Sequence, residues 1–252
     1  MGWSSLLLLA LLFFVTSVVG VVTGSNSLVT VPVMFQFGID EKIAVATNMF
    51  GLTFMAVGGT IPFVRQGSID FRKLLPLIVL TLIGSALGAL LVGVITNQAI
   101  KIVVTVGMIA VAIFTIVRRN GSDAPGLGTA GETSLSFIVY LLTFLLAIYG
   151  GLYSGGYVTL LTAVLVAFSG MTYTRSIAAT KLINVFSSGI ATVIFMWQGL
   201  VDYRLGLILA VAMFAGAFVG AHYATKLNEI WLKRIFLTTV LALALKTAID
   251  FL

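Results

Sequence analysis

Ten apolar runs separated by short polar stretches make up most of the chain. Eight of them have at least 18 residues, close to the ~20 residues with which a helix crosses the ~30 Å hydrocarbon core of a bilayer. The second and seventh runs are shorter and reach only ~16 Å as helices. The pattern predicts an all-α integral membrane protein of about ten transmembrane segments. The runs cover residues 4–22, 27–37, 43–64, 74–95, 100–117, 135–153, 158–168, 177–197, 205–224 and 230–249.

A polar break that contains glycine precedes each of the two short runs. The breaks are Thr23-Gly24-Ser25-Asn26-Ser27 and Ser154-Gly155-Gly156-Tyr157. Broken helices near the midplane direct free N–H groups and a positive dipole end at anions. The same glycines also form Gly20-x-x-x-Gly24 and Gly151-x-x-x-Gly155, a spacing that suits close helix packing. Anion binding and packing therefore both remain open for these breaks.

The sequence repeats itself at an offset of 132 residues. Gln66-Gly67-x-x-Asp70-x-Arg72 matches Gln198-Gly199-x-x-Asp202-x-Arg204, and Gly84-x-x-x-Gly88 matches Gly216-x-x-x-Gly220. Matched identities in one register indicate an internal repeat. We expect a first membrane repeat at residues 1–119, a cytoplasmic linker at 120–133 and a second membrane repeat at 134–252. The glycine pairs are interpreted as packing faces, and the Gln-Gly-x-x-Asp-x-Arg motifs as helix starts or as gating loops.

The distribution of basic residues predicts how the repeats are oriented. With five crossings per half, nine lysines and arginines lie on one side of the membrane and four on the other. With four crossings per half, the basic residues are divided seven against six. Cytoplasmic loops carry an excess of Lys and Arg, which favours five crossings. An odd number of crossings inverts the second half relative to the first. The expected protein has two inverted five-segment repeats, with short or broken helices near the midplane and both termini outside.

Composition narrows the class of protein further. Hydrophobic residues are 60% of the chain and charged residues 9%. This composition excludes a soluble globular protein, and we expect the lipid bilayer to surround the chain. The net charge of +6 is spread singly or in pairs between apolar runs, so we expect no nucleic-acid partner. Without cysteine and with His222 as the one histidine, the sequence predicts no metal site and no cofactor.

Lys181 is the most unusual polar residue, because it lies well inside the eighth run. Lys181, Asn184 and Ser188 stand at i, i+3 and i+7, so one helical face carries a cation, an amide and a hydroxyl. A lysine at a helix centre costs about 2.5–3.5 kcal/mol and normally faces a cavity with a partner. Contact with a substrate or ion is one interpretation. A structural bond to a carbonyl, or snorkelling towards the headgroups, is the other.

Thr47 and Asn48 occupy the positions in the first half that Thr180 and Lys181 occupy in the second. Inverted symmetry would bring the two pairs together near the midplane, although Asn48 would serve equally as an interhelical hydrogen-bonding residue. The candidate substrate-binding residues are Ser25, Asn26, Thr47, Asn48, Gly155, Gly156, Tyr157, Thr180, Lys181, Asn184 and Ser188.

These motifs resemble the TauE/SafE sulfite exporter family. Ala179-Thr180-Lys181-Leu182-Ile183-Asn184, followed by Ser187-Ser188, is similar to the family's Thr-Lys-x-x-Asn-x-x-Ser pattern, and Ala44-Val45-Ala46-Thr47-Asn48 resembles its first-half counterpart. The resemblance covers nearly the whole chain. It implies an all-helical permease for sulfite, sulfonates or related small organic anions. The glycine cluster before each short run is reduced here, and Met49 stands where relatives often carry Lys, so we expect a different or less charged anion.

The expected function is a secondary transporter that exports a small anion, such as sulfite, an organosulfonate or a related sulfur-containing organic anion. Transport would cross the inner membrane by alternating access. An anion channel and an uptake permease for a different small organic anion are the alternatives. We expect no enzyme, because the sequence has no Ser-His-Asp set, no HExxH and no paired intramembrane acids. We expect a homodimer. The glycine faces would form the part of the transporter that stays fixed while the rest moves, either within one chain or between two.

Overall fold

A computed structural model describes residues 3–24, 26–66, 70–120, 136–224 and 226, without the side chains of residues 22, 108 and 111–120. Within these ranges the chain forms nine α-helices and no strand. They are α1 (Trp3–Thr23), α2 (Ser27–Gln36), α3 (Glu41–Arg65), α4 (Phe71–Val94), α5 (Asn97–Asn120), α6 (Phe137–Leu152), α7 (Tyr157–Phe168), α8 (Tyr173–Trp197) and α9 (Tyr203–Ala224).

Nine of the ten apolar runs are thus confirmed as helices, and the tenth, at 230–249, lies outside the described residues. The two short runs are confirmed as short helices of 10 and 12 residues. The sixth is shorter than its apolar run, with 16 residues, because Ser136 and Tyr153 at its ends have extended backbone angles. Five described helices, α1, α3, α4, α8 and α9, have the length and apolar composition of a membrane crossing. The protein is a multi-pass membrane protein.

The repeated Asp of the internal motif begins a helix in both halves. Asp70 caps α4 by accepting the N–H of Lys73 at 3.4 Å, and Asp202 caps α9 by accepting the N–H of Leu205 at 3.0 Å. A side-chain acceptor at this position satisfies one of the N–H groups that the first helical turn leaves unpaired. Of the two interpretations of the motif, a helix start is confirmed.

The helices pack in pairs that recur after an advance of five helices. α3 packs along α9 as α8 packs along α4, and α4 packs along α6 as α9 packs along α1. The two equivalent helices α3 and α8 also pack against each other. The contacts with α4, with α9 and with each other bring α3 and α8, which carry the candidate polar residues, to the centre of the bundle.

Contacts at one end of the bundle define the relative direction of these helices. Lys42, at the start of α3, donates to the carbonyl of Gly93 near the end of α4 at 3.2 Å. Thr47 accepts the N–H of Asp202, just beyond the end of α8, at 3.0 Å. The start of α3 therefore lies beside the ends of α4 and α8, and α3 runs antiparallel to both.

The glycine pairs of α4 and α9 form packing faces, as predicted. A Cβ added to Gly88 would overlap the carbonyl oxygen of Ile148 in α6, and one added to Gly216 would overlap the carbonyl oxygen of Phe14 in α1. Small residues let helix backbones approach this closely. Both glycine faces are therefore covered by helices of the same chain.

Candidate functional site

The two helix breaks lie against each other inside the protein. In the first turn of α7, Thr159 donates its hydroxyl to the carbonyl of Thr23, the last residue of α1, at 2.6 Å. Tyr153, at the end of α6, donates its hydroxyl to the carbonyl of Ser27, the first residue of α2, at 3.1 Å. Side-chain hydroxyls on either side of the second break thus bind two backbone oxygens of the first.

Two glycines allow the chain to turn at these breaks. Gly24 has φ +71° and Gly156 has φ +79°, a left-handed conformation that side chains with a Cβ rarely adopt. A Cβ on Gly24 would also overlap the side chain of Val158 and the backbone nitrogen of Thr159. Glycine at position 24 is therefore required both by its backbone angle and by the close approach of α7.

A small cavity lies where the breaks meet, with room for about one water molecule. Its lining combines the backbone at Gly20 and Gly24 with polar and apolar side chains. The polar lining residues are Asn26, Ser27, Ser154, Lys181 and Asn184, and the apolar ones are Leu52, Met55, Ala56 and Val158.

Lys181 places a positive charge at this cavity. Its side chain is buried, at 3% exposure, and its Nζ donates to the carbonyl of Gly20 at 3.4 Å. Charge-assisted N–H···O bonds are usually about 2.7–2.9 Å, so this contact is long. The same carbonyl already accepts the N–H of Gly24 at 2.7 Å. Gly20 lies in the last turn of α1, where the negative end of the helix dipole favours a cation.

The lysine has no carboxylate partner among the described residues. The ion pairs described join Lys73 to Asp70 and Lys101 to Glu41 at helix ends, and the remaining described acids, Asp40 and Asp202, cap helices. One carbonyl dipole compensates a buried charge far less than an anion does. The arrangement therefore favours an anion beside Nζ.

Asn184 lines the same cavity one helical turn beyond Lys181, and is buried at 4% exposure. The predicted polar face of α8 is thus found for these two residues. Ser188 differs, because its hydroxyl donates to the carbonyl of Asn184 at 2.6 Å and does not line the cavity. Serine in a helix commonly makes this bond to the residue four positions earlier.

Asn48 binds protein groups and holds α2 against α3. Its Nδ2 donates to Ser27 Oγ at 3.0 Å, and its Oδ1 accepts from Thr30 Oγ1 at 2.7 Å. Asn48 therefore contacts the cavity only through Ser27. Thr47 likewise does not line the cavity, because its hydroxyl accepts the backbone N–H of Asp202 at 3.0 Å.

Thr180 makes the corresponding link in the second half. It accepts the hydroxyl of Thr162 in α7 at 3.2 Å, and donates to the carbonyl of Ser176 at 2.7 Å. Each short helix is thus joined by a threonine hydroxyl to the long helix that follows it. The structure therefore gives Thr180, like Asn48, a role in holding a short helix in place.

The predicted residues of the second break also lie outside the cavity lining. Gly155 accepts the hydroxyl of Tyr149 through its carbonyl at 2.5 Å, and Gly156 is the N-cap of α7. The fully buried ring of Tyr157 packs against Gly150. In the first break, Asn26 lines the cavity and Ser25 lies outside the described residues.

Comparison with known proteins decides the family. The model of the family described as "Sulfite exporter TauE/SafE" matches residues 8–247. The chain belongs to the TauE/SafE family. The resemblance noted in the polar motifs of α3 and α8 is thereby confirmed over nearly the whole sequence.

Three relatives of this TauE/SafE chain carry names that state a transport role. It is 26% identical over 248 residues to "Probable membrane transporter protein ORF9" of Sinorhizobium sp., covering 96% of this chain and 93% of that protein. It is 24% identical over 226 residues to a "Probable membrane transporter protein" of Haemophilus influenzae, covering 87% and 85% of the two chains. "Probable membrane transporter protein YfcA" of Escherichia coli K12 is 24% identical over 225 residues, covering 86% and 80%. No solved structure matches the chain.

Several lining residues of this TauE/SafE site were absent from the predicted set. Ser27 and Ser154 belong to the polar breaks and Gly20 to a glycine motif, so their positions beside predicted residues could have identified them. Met55 is an apolar residue in an apolar run. Nothing in its local sequence distinguishes it from a core or lipid-facing methionine.

Proposed function

We propose that this TauE/SafE protein is a secondary transporter that exports a small anion across the inner membrane by alternating access. The cargo is sulfite, an organosulfonate or a related sulfur-containing organic anion. One observation carries the proposal: Lys181 is buried at the cavity between two broken helices, and of the described residues only the Gly20 carbonyl contacts its Nζ. A buried ammonium group needs a counter-charge, and a bound anion supplies it.

The rest of the lining favours the same occupant. Lys181 and Asn184 bring N–H donors to the cavity from α8. Ser27, the first residue of α2, also lines it, and the N-cap residue Asn26 makes no side-chain capping bond. A helix N-terminus has N–H groups without intrahelical partners and a positive dipole end. These donors suit the oxygens of a sulfite or sulfonate group.

The proposal includes two inverted repeats of five segments. The recurrence of helix pairs after five helices, and the antiparallel directions of α3 and α8, support it. The short helices α2 and α7 have 10 and 12 residues, or roughly 15 and 18 Å. Each is too short to cross the bilayer, which supports helix breaks near the midplane.

The size and chemistry of the cavity support alternating access. It has room for about one water molecule, so a sulfite or sulfonate group can enter only if the lining helices move. Apolar residues in the lining, among them Leu52, Met55 and Val158, argue against the continuous polar path that a channel would need. The outward direction is inferred from the family description "Sulfite exporter". A homodimer completes the proposal, formed through surfaces other than the two glycine faces.

Counterflow in liposomes containing the purified protein tests the carrier mechanism. Liposomes loaded with unlabelled sulfite under anaerobic conditions are diluted into a trace of ³⁵S-sulfite. A carrier accumulates label transiently above its outside concentration, and the accumulation disappears when the unlabelled anion is left out. Methanesulfonate is tested in the same way. Label that only equilibrates would indicate a channel, and uptake no greater than in protein-free liposomes for both anions would reject the proposed function.

A further inference from the structure

The amide of Asn26 lines the cavity, and its hydrogen bonding is incomplete among the described residues. Asn26 is buried at 4% exposure. Its Nδ2 lies 3.4 Å from Met55 Sδ and 3.5 Å from Ser17 Oγ. Its Oδ1 is buried and has no hydrogen-bond partner in the part of the chain that the structure describes. An unpaired buried acceptor loses its bonds to water without replacement, which is unfavourable.

The neighbours of Asn26 determine which edge of its amide carries the oxygen. A thioether sulfur accepts hydrogen bonds and cannot donate them, so the N–H edge of the amide faces Met55. Turning the amide over would place Oδ1 against the sulfur and lose that contact. The contact with Met55 therefore favours the acceptor on the opposite edge, in a residue that lines the cavity.

Lys181 and Ser27 present donors to the cavity, whereas Asn26 Oδ1 is an acceptor. Lys181 Nζ has three N–H bonds, of which one is directed at Gly20. Ser27 Oγ already accepts from Asn48, so its O–H is left to donate. An anion that only accepts hydrogen bonds would satisfy these donors and leave Asn26 Oδ1 unpaired. An anion with its own O–H or N–H would satisfy both kinds of group.

We propose that the cavity selects small anions that carry a hydrogen-bond donor within one or two bonds of the acidic group, and that Asn26 Oδ1 accepts that hydrogen bond. Hydrogen sulfite and short hydroxyalkanesulfonates have this chemistry. The inference rests on the proposed function, since it concerns the same cavity and the same anion. It adds a selectivity rule, namely that replacing the donor by a methyl group weakens binding.

A matched pair of anions tests the rule on the wild-type protein. Hydroxymethanesulfonate and ethanesulfonate have the same charge and nearly the same shape, and differ by a hydroxyl in place of a methyl group. Titration calorimetry on the purified protein in lipid nanodiscs gives both dissociation constants, with sulfite as a third ligand. Leaving a buried acceptor unpaired predicts roughly 5- to 150-fold tighter binding of hydroxymethanesulfonate.

The variant Asn26→Leu assigns the preference to the amide. It keeps a side chain of similar size and removes the acceptor, so the two dissociation constants should agree within about twofold. In the control Asn184→Leu, both anions should bind more weakly while the preference persists. Equal wild-type affinities would overturn this inference and leave the proposed function standing, as would an undiminished preference in Asn26→Leu. Failure of the wild type to bind any of the three anions would reject both.

Discussion

Lys181 donates from α8 to the carbonyl oxygen of Gly20 in α1 across 3.4 Å, and this contact joins the two halves of the protein at their helix breaks. Its length and its single carbonyl acceptor leave the ammonium group incompletely satisfied. An anion that entered the cavity would compete with Gly20 for Nζ. In the proposed transporter, binding of cargo would therefore be coupled to this contact between α1 and α8.

Two glycine substitutions, one in α4 and one in α8, should have opposite effects on the stability of the protein. Gly88→Ala forces a Cβ into the carbonyl of Ile148 and should lower the free energy of unfolding by about 1–3 kcal/mol. Gly189, in the middle of α8, has no atom within 4 Å of an added Cβ. Gly189→Ala should therefore raise stability by about 0.5–1 kcal/mol, because alanine restricts the unfolded chain. Thermal unfolding in one detergent measures both, and equal effects would contradict the packing.

Asn48 should affect stability more than anion affinity. Asn48→Leu leaves Ser27 and Thr30 without their partner, which should lower stability by about 1–3 kcal/mol. Thr30→Val removes only one of the two bonds and should cost less. Anion affinity should change by less than tenfold in both variants, because Asn48 does not line the cavity. A loss of anion affinity of more than tenfold, with an unchanged melting temperature, would place Asn48 in the binding site.

The orientation of the chain is tested by labelling single cysteines, since the native sequence has none. The charge distribution predicts that residues 120–133 are cytoplasmic, so Ser122→Cys should react with an impermeant maleimide only after the cells are opened. Gln98→Cys lies at the exposed start of α5 on the opposite side and should react in intact cells. Labelling of both, or of Ser122→Cys alone, in intact cells would contradict inverted five-segment repeats.

The helices and their breaks could be predicted from the sequence because bilayer thickness and glycine chemistry act locally. The glycine faces, and the position of Lys181 and Asn184 on one face of α8, could also be predicted from helical spacing. The partners of Asn48 and Thr180 did not, because a buried amide or hydroxyl has the same sequence signature whether it binds protein or cargo. The role of Asn26 Oδ1 depends on Met55, 29 positions away, and no local pattern connects the two.

The central claim is that Lys181 binds the transported anion, and the affinity of Lys181→Met tests it most directly. Methionine keeps most of the apolar stem and removes the charge. Loss of a charge-assisted hydrogen bond, worth about 1.5–3 kcal/mol, should weaken sulfite binding roughly ten- to a hundred-fold with little change in melting temperature. The control Lys73→Met removes an exposed lysine that pairs with Asp70 and should leave the dissociation constant unchanged. An unchanged dissociation constant in Lys181→Met, together with a lower melting temperature, would make Lys181 a structural residue and contradict the proposed site.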